Sequence, residues 1–222
     1  MMTDLLIVDT SDKVIGHGEK LILHVNGILH RAFSVFIFAR NGKQLLLQRR
    51  AMHKYHSGGK WSNACCSHPR QNPLKVSELN QRLLEELRFN PQCQSICDIG
   101  KEPEGSYVFC GKLRYQAWFN ALSEHEIDHV FVLFVNEPDE LCIKPNPDEV
   151  SATQWVTLPE LVTWVDDEPG NFSAWFLPTF LLAYRAIYAE CLRCSIPAIT
   201  PAKLICLLRH KVSDNIQVDE II

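Results

Sequence analysis

The order of apolar and polar positions along the chain predicts mixed strands with a few helices. Residues 31–39 are rich in β-branched and aromatic side chains and predict a buried strand. Asn41-Gly42 is a typical two-residue hairpin turn, so residues 44–48 are expected to form the returning strand. Other apolar or alternating runs predict further strands, at residues 5–8, 115–120, 129–135 and 151–156.

One predicted helix carries charged residues beside its apolar face. Asn72 as the cap and Pro73 at the first helical position would start this helix. Its apolar stripe consists of residues at helical spacing: Val76, Leu79, Leu83, Leu84 and Leu87. Arg82 and Glu86 border the stripe, so Glu86 can face a site beside the core, whereas Glu85 points away from it. The alternative is a simple surface ion pair between Arg82 and Glu86, worth about 0.2–0.5 kcal/mol.

The remaining pattern predicts a short helix at residues 159–165 and a long amphipathic helix at residues 174–191. Mixed strands with a few helices are typical of an α+β sandwich. The length of 222 residues suits one domain, which we expect at residues 1–190. Residues 191–222 carry scattered charges and one apolar run, so we expect a C-terminal extension that is either docked or mobile.

Composition limits the binding partners and the cellular compartment that we expect for this protein. The hydrophobic fraction of 46% can fill a sizeable core, and no apolar run reaches membrane-spanning length. A formal net charge of −4 leaves no basic excess, so nucleic acid is not an expected partner. The start of the chain lacks the pattern of a signal peptide, and the nine cysteines are therefore expected to be reduced thiols in a cytoplasmic protein. A monomer and a homodimer both fit this composition.

Two short stretches carry residues suited to metal binding and proton transfer. Cys66 and His68 are two residues apart, and so are Glu124 and Glu126. If both stretches are extended, alternate side chains share a face and each pair can converge on one point. Cys65 would then face the opposite side and pack in the interior. Thiol, imidazole and paired carboxylates are groups that bind metal ions and move protons, so the sequence predicts a metal-dependent enzyme with acid–base chemistry.

Three separated motifs resemble one known family. They are G-I-L-H-R-A-F-S-V from Gly27, W-S-N-A-C-C-S-H-P from Trp61 and E-H-E-I-D from Glu124. In this order they resemble the type 1 isopentenyl-diphosphate isomerases, which belong to the Nudix superfamily. The resemblance runs from about residue 5 to about residue 184. It implies a Nudix-like mixed β-sheet sandwich flanked by helices. It also implies interconversion of isopentenyl and dimethylallyl diphosphate through a tertiary carbocation.

The resemblance also implies roles for individual residues. The side chains that would bind a tightly held divalent metal, zinc or manganese, are His24, His30, His68, Glu124 and Glu126. The residues that would bind a magnesium ion together with the diphosphate are Glu86 and Cys66. The catalytic residues would be Cys66, Glu126 and Tyr115. The residues that would contact the prenyl diphosphate are Lys20, Arg50, Lys54, Arg82 and Trp175.

The segment at residues 81–89 departs from the Nudix hydrolase pattern R-E-U-x-E-E-x-G-U. Arg82 stands where hydrolases carry the first glutamate of the helix, and Arg88 stands where they carry the closing glycine. Isomerases of this type also have a degraded pattern. The departure therefore favours an isomerase over a hydrolase.

The implied reaction explains why these residue types are needed. Protonating an unactivated alkene makes a tertiary carbocation, which an indole face such as that of Trp175 can stabilise by about 2 kcal/mol when water is excluded. One proton must be supplied and another removed two bonds away, a task that suits Cys66 and Glu126 on opposite faces of the substrate. Magnesium with lysine and arginine side chains would neutralise the diphosphate.

Two other functions remain open at this stage. The first is a Nudix-type hydrolase of a diphosphate compound, which would need several carboxylates on one helix to hold magnesium. The second is a binding module with a structural metal, although five protein ligands exceed the usual four. Trp61 is expected in the core. Histidines expected to be ordinary core or surface residues are His53, His56, His125, His129 and His210.

Overall fold

The computed structural model describes residues 4–39, 44–89, 107–135, 142–193, 200–208 and 215–221. The predicted turn at Asn41-Gly42 and His210 lie outside these ranges. The strands are β1 (Asp4–Val8), β2 (Val14–Glu19), β3 (His30–Ala39), β4 (Gln44–Arg50), β5 (Trp61–Ser62), β6 (Cys65–Ser67), β7 (Tyr107–Phe119), β8 (Leu122–Val135), β9 (Val150–Thr157) and β10 (Ile216–Ile221). The helices are α1 (Lys20–Asn26), α2 (Val76–Leu87), α3 (Leu158–Asp167), α4 (Phe176–Arg193) and α5 (Pro201–Leu208), with a 3-10 turn at Pro169–Asn171.

Strand β3 lies at the centre of one mixed sheet and is buried along its whole length. It pairs in parallel with β8 and antiparallel with β4 and β6, and the longest path through the sheet runs β10-β7-β8-β3-β1-β2. Because side chains alternate along a strand, β3 contributes to two hydrophobic cores, one on each face of the sheet. On one face Phe36 packs against Phe176 and Phe180 of α4, and on the other Ile37 packs with Leu83 of α2. The predicted α+β sandwich is confirmed.

Helix α2 begins later than predicted. It starts at Val76 with Lys75 as its cap, and the Asn72-Pro73 peptide precedes it in the cis form. The prediction that Asn72 caps this helix is wrong because its side-chain oxygen accepts a hydrogen bond from Arg31 instead, at 2.9 Å. The helix ends at Leu87, and Arg88 caps it in a left-handed conformation with φ of 53° where the hydrolase pattern has glycine.

Strands β7 and β8 form a long antiparallel hairpin that is longer than the predicted segments. The register pairs Tyr115 with Glu126 and Ala117 with Glu124, so the acidic stretch is extended as predicted. β10 adds to the outer edge of this hairpin, with Val218 opposite Tyr115. Leu204 of α5 is buried in the core on the α4 side. The described parts of residues 191–222 therefore pack on the sheet and core, and their separation as an extension remains a prediction.

Asp12 anchors the β1–β2 turn to the face of the sheet that carries α2. Its carboxylate accepts hydrogen bonds from Arg31 at 2.7 Å, Lys112 at 2.6 Å and His129 at 2.8 Å. Burial opposes ionisation, but these donors together hold the pKa of Asp12 well below its ordinary value. The turn leads through β2 into α1, so this ion cluster helps to place α1. No described helix is long and apolar enough to cross a bilayer.

Replacement of Asp12 by asparagine should lower the free energy of unfolding by about 3 kcal/mol at neutral pH, because it leaves buried cations without their anion. Because folding lowers the pKa of Asp12, its ionised carboxylate stabilises the fold above pH 3.8, the ordinary pKa of this group. This contribution to the free energy of unfolding decreases as the pH falls below 3.8. Urea unfolding between pH 3 and pH 7 measures both effects. Asp9→Asn is the matched control, since Asp9 only accepts backbone bonds in the same turn; equal losses in both variants would contradict the prediction.

Candidate active site

Strand register brings the predicted chemical groups to one face of the sheet. β6 and β8 flank β3 on its two sides, with Cys66 opposite Ser34 and Glu126 beside His30. Tyr115 lies opposite Glu126 on β7. The thiol and the carboxylate therefore approach the same cavity, of about 90 Å³, from two sides of β3.

Three histidines and one glutamate form a group that can hold a metal ion. One ligand atom each from His24, His30, His68 and Glu126 lies within 4.8 Å of all the others. α1 supplies His24, whose Nε2 faces the Nε2 of His30 at 3.2 Å. His30 donates its Nδ1 proton to the carbonyl of Ile28 at 2.8 Å, which orients the ring so that Nε2 faces His24 and Glu126. Two ring nitrogens that face each other so closely suit a shared cation.

The charges of this group match a divalent metal. Burial lowers the pKa of His24 to about 3 and that of His68 to about 4, so both imidazoles are neutral at pH 7. Burial opposes ionisation of Glu126, but hydrogen bonds from His30 and His68 hold its pKa well below the ordinary value. Neutral imidazoles and an ionised carboxylate are the forms in which these side chains bind metals, and zinc or manganese fits this donor set.

Glu124 lies on the same face of β8 but outside this group of four residues. One carboxylate oxygen is 3.0 Å from Nε2 of His56. The other oxygen is buried and has no hydrogen-bond partner among the described residues. Such an oxygen is expensive to bury unless something binds it, so Glu124 is also suited to contribute to a metal site.

The thiol of Cys66 is held by neighbours in three directions. Trp175 donates its indole N–H to the sulfur at 3.2 Å, and the thiol donates to Oδ1 of Asn63 at 2.9 Å. The hydroxyl of Ser34 lies 3.5 Å away and donates to Asp128 at 2.6 Å. Burial, with the nearby Asp128 charge, raises the pKa of Cys66 to about 12, so the group is a neutral thiol.

Across the cavity, the Tyr115 hydroxyl donates to Glu126 at 2.7 Å. Burial raises the pKa of Tyr115 well above its ordinary value, so this proton stays on the phenol unless the site changes. Glu126 therefore has a hydrogen-bond donor on one oxygen and imidazoles on the other. This arrangement keeps the carboxylate ionised and oriented toward the cavity, which Glu126 and Tyr115 both line.

The predicted cations border the same cavity on the side of α2 and β4: Lys20, Arg50, Lys54 and Arg82. Glu149 accepts hydrogen bonds from Lys54 at 2.5 Å and Arg82 at 2.8 Å, while Arg50 lies 5.1 Å from the ring centroid of Trp175. These groups form a positive surface with a carboxylate counter-ion, which suits a bound anion.

Glu86 is a buried carboxylate at the edge of this positive surface. It pairs with Arg82 at 2.7 Å and accepts from Gln48 at 3.0 Å. Burial raises the pKa of Glu86, and the neighbouring Arg82 opposes that change. The Arg82–Glu86 pair is therefore not the surface ion pair that was the alternative for α2, because Glu86 is 3% exposed and lines the cavity.

The NUDIX domain family matches residues 28–176 of this chain. An isopentenyl-diphosphate Delta-isomerase from Burkholderia multivorans is 41% identical over 172 residues, covering 78% of this chain and 88% of that protein. One from Pectobacterium atrosepticum is 38% identical, covering 81% and 90% respectively. The chain belongs to the isopentenyl-diphosphate Delta-isomerase family. The structure of DR0079 from Deinococcus radiodurans, with a TM-score of 0.53, 17% identity and coverage of 74% and 89%, shares the fold.

Membership of the isomerase family confirms the resemblance inferred from the three motifs. The site also contains residues that sequence reasoning missed. His56, expected to be an ordinary core or surface residue, is buried and lines the cavity, and His129 belongs to the Asp12 cluster. Further unpredicted cavity residues are Ser34, Gln48, Tyr55, Asp128 and Glu149. Period-2 spacing from Glu126 could have indicated Asp128, whereas Tyr55 and His56 follow no periodic pattern.

The prediction that Cys65 packs in the interior is confirmed, since it is fully buried on the α2 side of the sheet. Trp61 is only partly buried and packs against the core beside Trp164.

Asn63 orients the thiol of Cys66. Its amide donates to the carbonyls of Val35 at 3.2 Å and Cys65 at 2.7 Å, so its oxygen must face Cys66.

Replacement of Asn63 by aspartate should lower the free energy of unfolding by about 3 kcal/mol or more, because two backbone carbonyls lose their donor and a buried charge appears. Urea unfolding at pH 7 measures the loss. Asn26→Asp is the matched control, since Asn26 is exposed and bonds one carbonyl on α1. A loss at position 63 no larger than that at position 26 would refute the proposed role of the Asn63 amide.

Proposed function

We propose that this chain interconverts isopentenyl and dimethylallyl diphosphate by adding and removing a proton through a tertiary carbocation. The observation that carries the proposal is the approach of Cys66 and Glu126 to one buried cavity from two sides of β3. The names and identities of the relatives support it. Four cationic side chains at the same cavity supply the counter-charge that a diphosphate needs.

The reaction is a shift of one proton, and the site holds the groups for it. A proton adds to one end of the allylic system and the positive charge develops at the adjacent tertiary carbon. A C–H bond then breaks on the carbon at the other side of the cation, and its electron pair forms the new double bond. One group must donate and another must accept. Cys66 as a neutral thiol and Glu126 as a carboxylate provide one donor and one acceptor, and the reverse reaction exchanges their roles.

The carbocation must be stabilised while water is kept out. Trp175 is 3% exposed and borders the cavity, so its ring can face the developing charge. Arg50 covers the ring at 5.1 Å in the present arrangement. Movement of Arg50 toward a diphosphate would leave this ring face to the carbocation.

Two divalent metal ions would bind at this site. His24, His30, His68 and Glu126, with Glu124, would hold one divalent ion, zinc or manganese, while Glu86 and Cys66 would hold magnesium with the diphosphate. Bound there, the ions would supply positive charge that stabilises ionised Glu126 and neutralises the diphosphate. Lys54 and Arg82 would release Glu149 and, together with Lys20 and Arg50, would bind the diphosphate oxygens.

We also propose that this protein is located in the cytoplasm. The free thiols Cys65, Cys66, Cys110 and Cys142 suit a reducing compartment, and the catalytic thiol requires one. A monomer or a homodimer would serve, since the groups assigned to the reaction all come from one chain. The hydrolase alternative is weaker because Arg82 occupies a helix position where metal-dependent hydrolysis needs a carboxylate.

Purified protein supplied with magnesium and isopentenyl diphosphate in deuterated water should form dimethylallyl diphosphate that carries deuterium. Mass spectrometry of the product detects it, because each turnover adds a proton from a group that exchanges with solvent. Release of inorganic phosphate would instead support the hydrolase. Intact substrate without exchange in metal-replete protein would support the binding module.

The Cys66→Ala variant should retain its fold and lose activity by a factor of about 10²–10⁴ in kcat, the range typical of a lost acid–base group. Initial rates with isopentenyl diphosphate measure this loss. Cys142→Ala provides the control, since that exposed thiol lies outside the cavity. Near-normal kcat in Cys66→Ala would exclude the thiol from proton transfer.

A further inference from the structure

Residues 54–56 lie in the connection between β4 and β5 and place three consecutive side chains at the site. Lys54 pairs with Glu149 in the positive cluster. Tyr55 contacts His24 and His56 contacts Glu124, so the next two side chains each meet one predicted metal ligand. This connection has no periodic pattern, and its only role inferred from the sequence belongs to Lys54.

The hydroxyl of Tyr55 meets the ring nitrogen of His24 that does not face His30. Its hydroxyl oxygen is 2.9 Å from Nδ1 of His24, while Nε2 of His24 faces His30. A histidine that binds a metal through Nε2 carries its proton on Nδ1 and donates it to a neighbour. When Nε2 binds a metal, the Tyr55 hydroxyl oxygen is in place to accept that proton, at the same ring position where His30 donates to the carbonyl of Ile28.

His56 fixes one oxygen of Glu124 and leaves the other unpaired. Its ring stacks on Phe119 with centroids 4.7 Å apart and meets the edge of Tyr55 at 4.5 Å, so packing sets its orientation. Nε2 is 3.0 Å from one Glu124 oxygen. The second oxygen is buried without a partner in the described part of the chain, although the carboxylate lines the cavity beside Glu126.

We propose that Tyr55 and His56 are positioning residues of the metal centre. Tyr55 holds His24 in the tautomer with a free Nε2, and His56 holds Glu124 so that its unpaired oxygen turns to the cation. The inference rests on the metal centre of the proposed function, but it concerns metal binding and does not require turnover. The His24 and His56 ring centroids are 6.2 Å apart, so the Tyr55–His24 and His56–Glu124 contacts are neighbours.

The test measures Zn²⁺ affinity of the metal-stripped full chain by competition with a chromophoric chelator, without prenyl diphosphate. Tyr55→Phe and His56→Phe should each weaken Zn²⁺ binding about 10- to 100-fold, the usual effect of losing an outer partner of a ligand. His56→Gln should recover part of the loss because its amide N–H can donate to Glu124. His56→Phe keeps an aromatic ring against Phe119, and thermal unfolding confirms that each variant is folded.

Two controls match these changes. Tyr107→Phe removes a hydroxyl that donates to Asn80 away from the cavity, and His17→Gln replaces an exposed imidazole on β2. Both should bind Zn²⁺ as the unsubstituted protein does. A loss in the controls equal to that in the Tyr55 and His56 variants would overturn the assignment.

A double-mutant cycle separates the route through Glu124 from a general loss of packing. If His56 acts by holding Glu124, then His56→Phe should have little further effect on Zn²⁺ affinity in the Glu124→Gln background. A full additional loss there would overturn the inference, as would unchanged affinity in both Tyr55→Phe and His56→Phe, or absence of Zn²⁺ binding by the unsubstituted protein.

The outcome of the Zn²⁺ titration is independent of the outcome of the isomerase assay. Zn²⁺ affinity that depends on Tyr55 and His56, in a protein that never exchanges deuterium into isopentenyl diphosphate, would remove the proposed function and keep the positioning role. Normal isomerisation with Zn²⁺ affinity unaffected by either substitution would keep the function and remove the positioning role.

Discussion

The parallel pairing of β3 with β8 is the constraint on which the rest of the site depends. It places His30 beside Glu126, and the neighbouring antiparallel pairing with β6 places Cys66 opposite Ser34. A slip of one residue in either register would turn these side chains to the α2 core and bring apolar residues to the cavity. β3 is buried on both faces, and the aromatic contacts from Phe36 to α4 hold the register against such a slip.

Burial gives these groups their protonation states and also requires each charge to have a partner. The cavity lowers the pKa of His24 and His68 and raises that of Cys66, because a charged form is costly away from water. Glu126 stays ionised because imidazoles and the Tyr115 hydroxyl surround it. The same rule applies on the opposite face of the sheet, where Asp12 is ionised among three donors.

Local pattern predicted the parts of the fold and site that depend on local spacing. Alternation along extended chain predicted the pairs Cys66/His68 and Glu124/Glu126, and helical spacing predicted α2 with Glu86 at its border. Contacts between distant segments were not predictable in this way. Local pattern predicts Asn72 as a helix cap, because its actual partner Arg31 lies 41 residues earlier, and Ser34 meets Asp128 across 94 residues. The pairing of β10 with β7 likewise depends on the whole sheet.

Arg82, which stands where hydrolases carry a glutamate, suits the chemistry of an isomerase. A reaction that cleaves a diphosphate gathers carboxylates to hold metal ions around the bond that breaks, whereas an isomerase leaves the diphosphate intact and needs to bind it. Arg82 pairs with Glu86, Glu85 and Glu149 through one guanidinium, so α2 offers the cavity one buried carboxylate and one cation. Replacing the helix glutamate by arginine thus exchanges a metal ligand for an anion-binding group at the same position. In the proposed reaction, the proton chemistry belongs to residues outside the helix, Cys66 on β6 and Glu126 on β8.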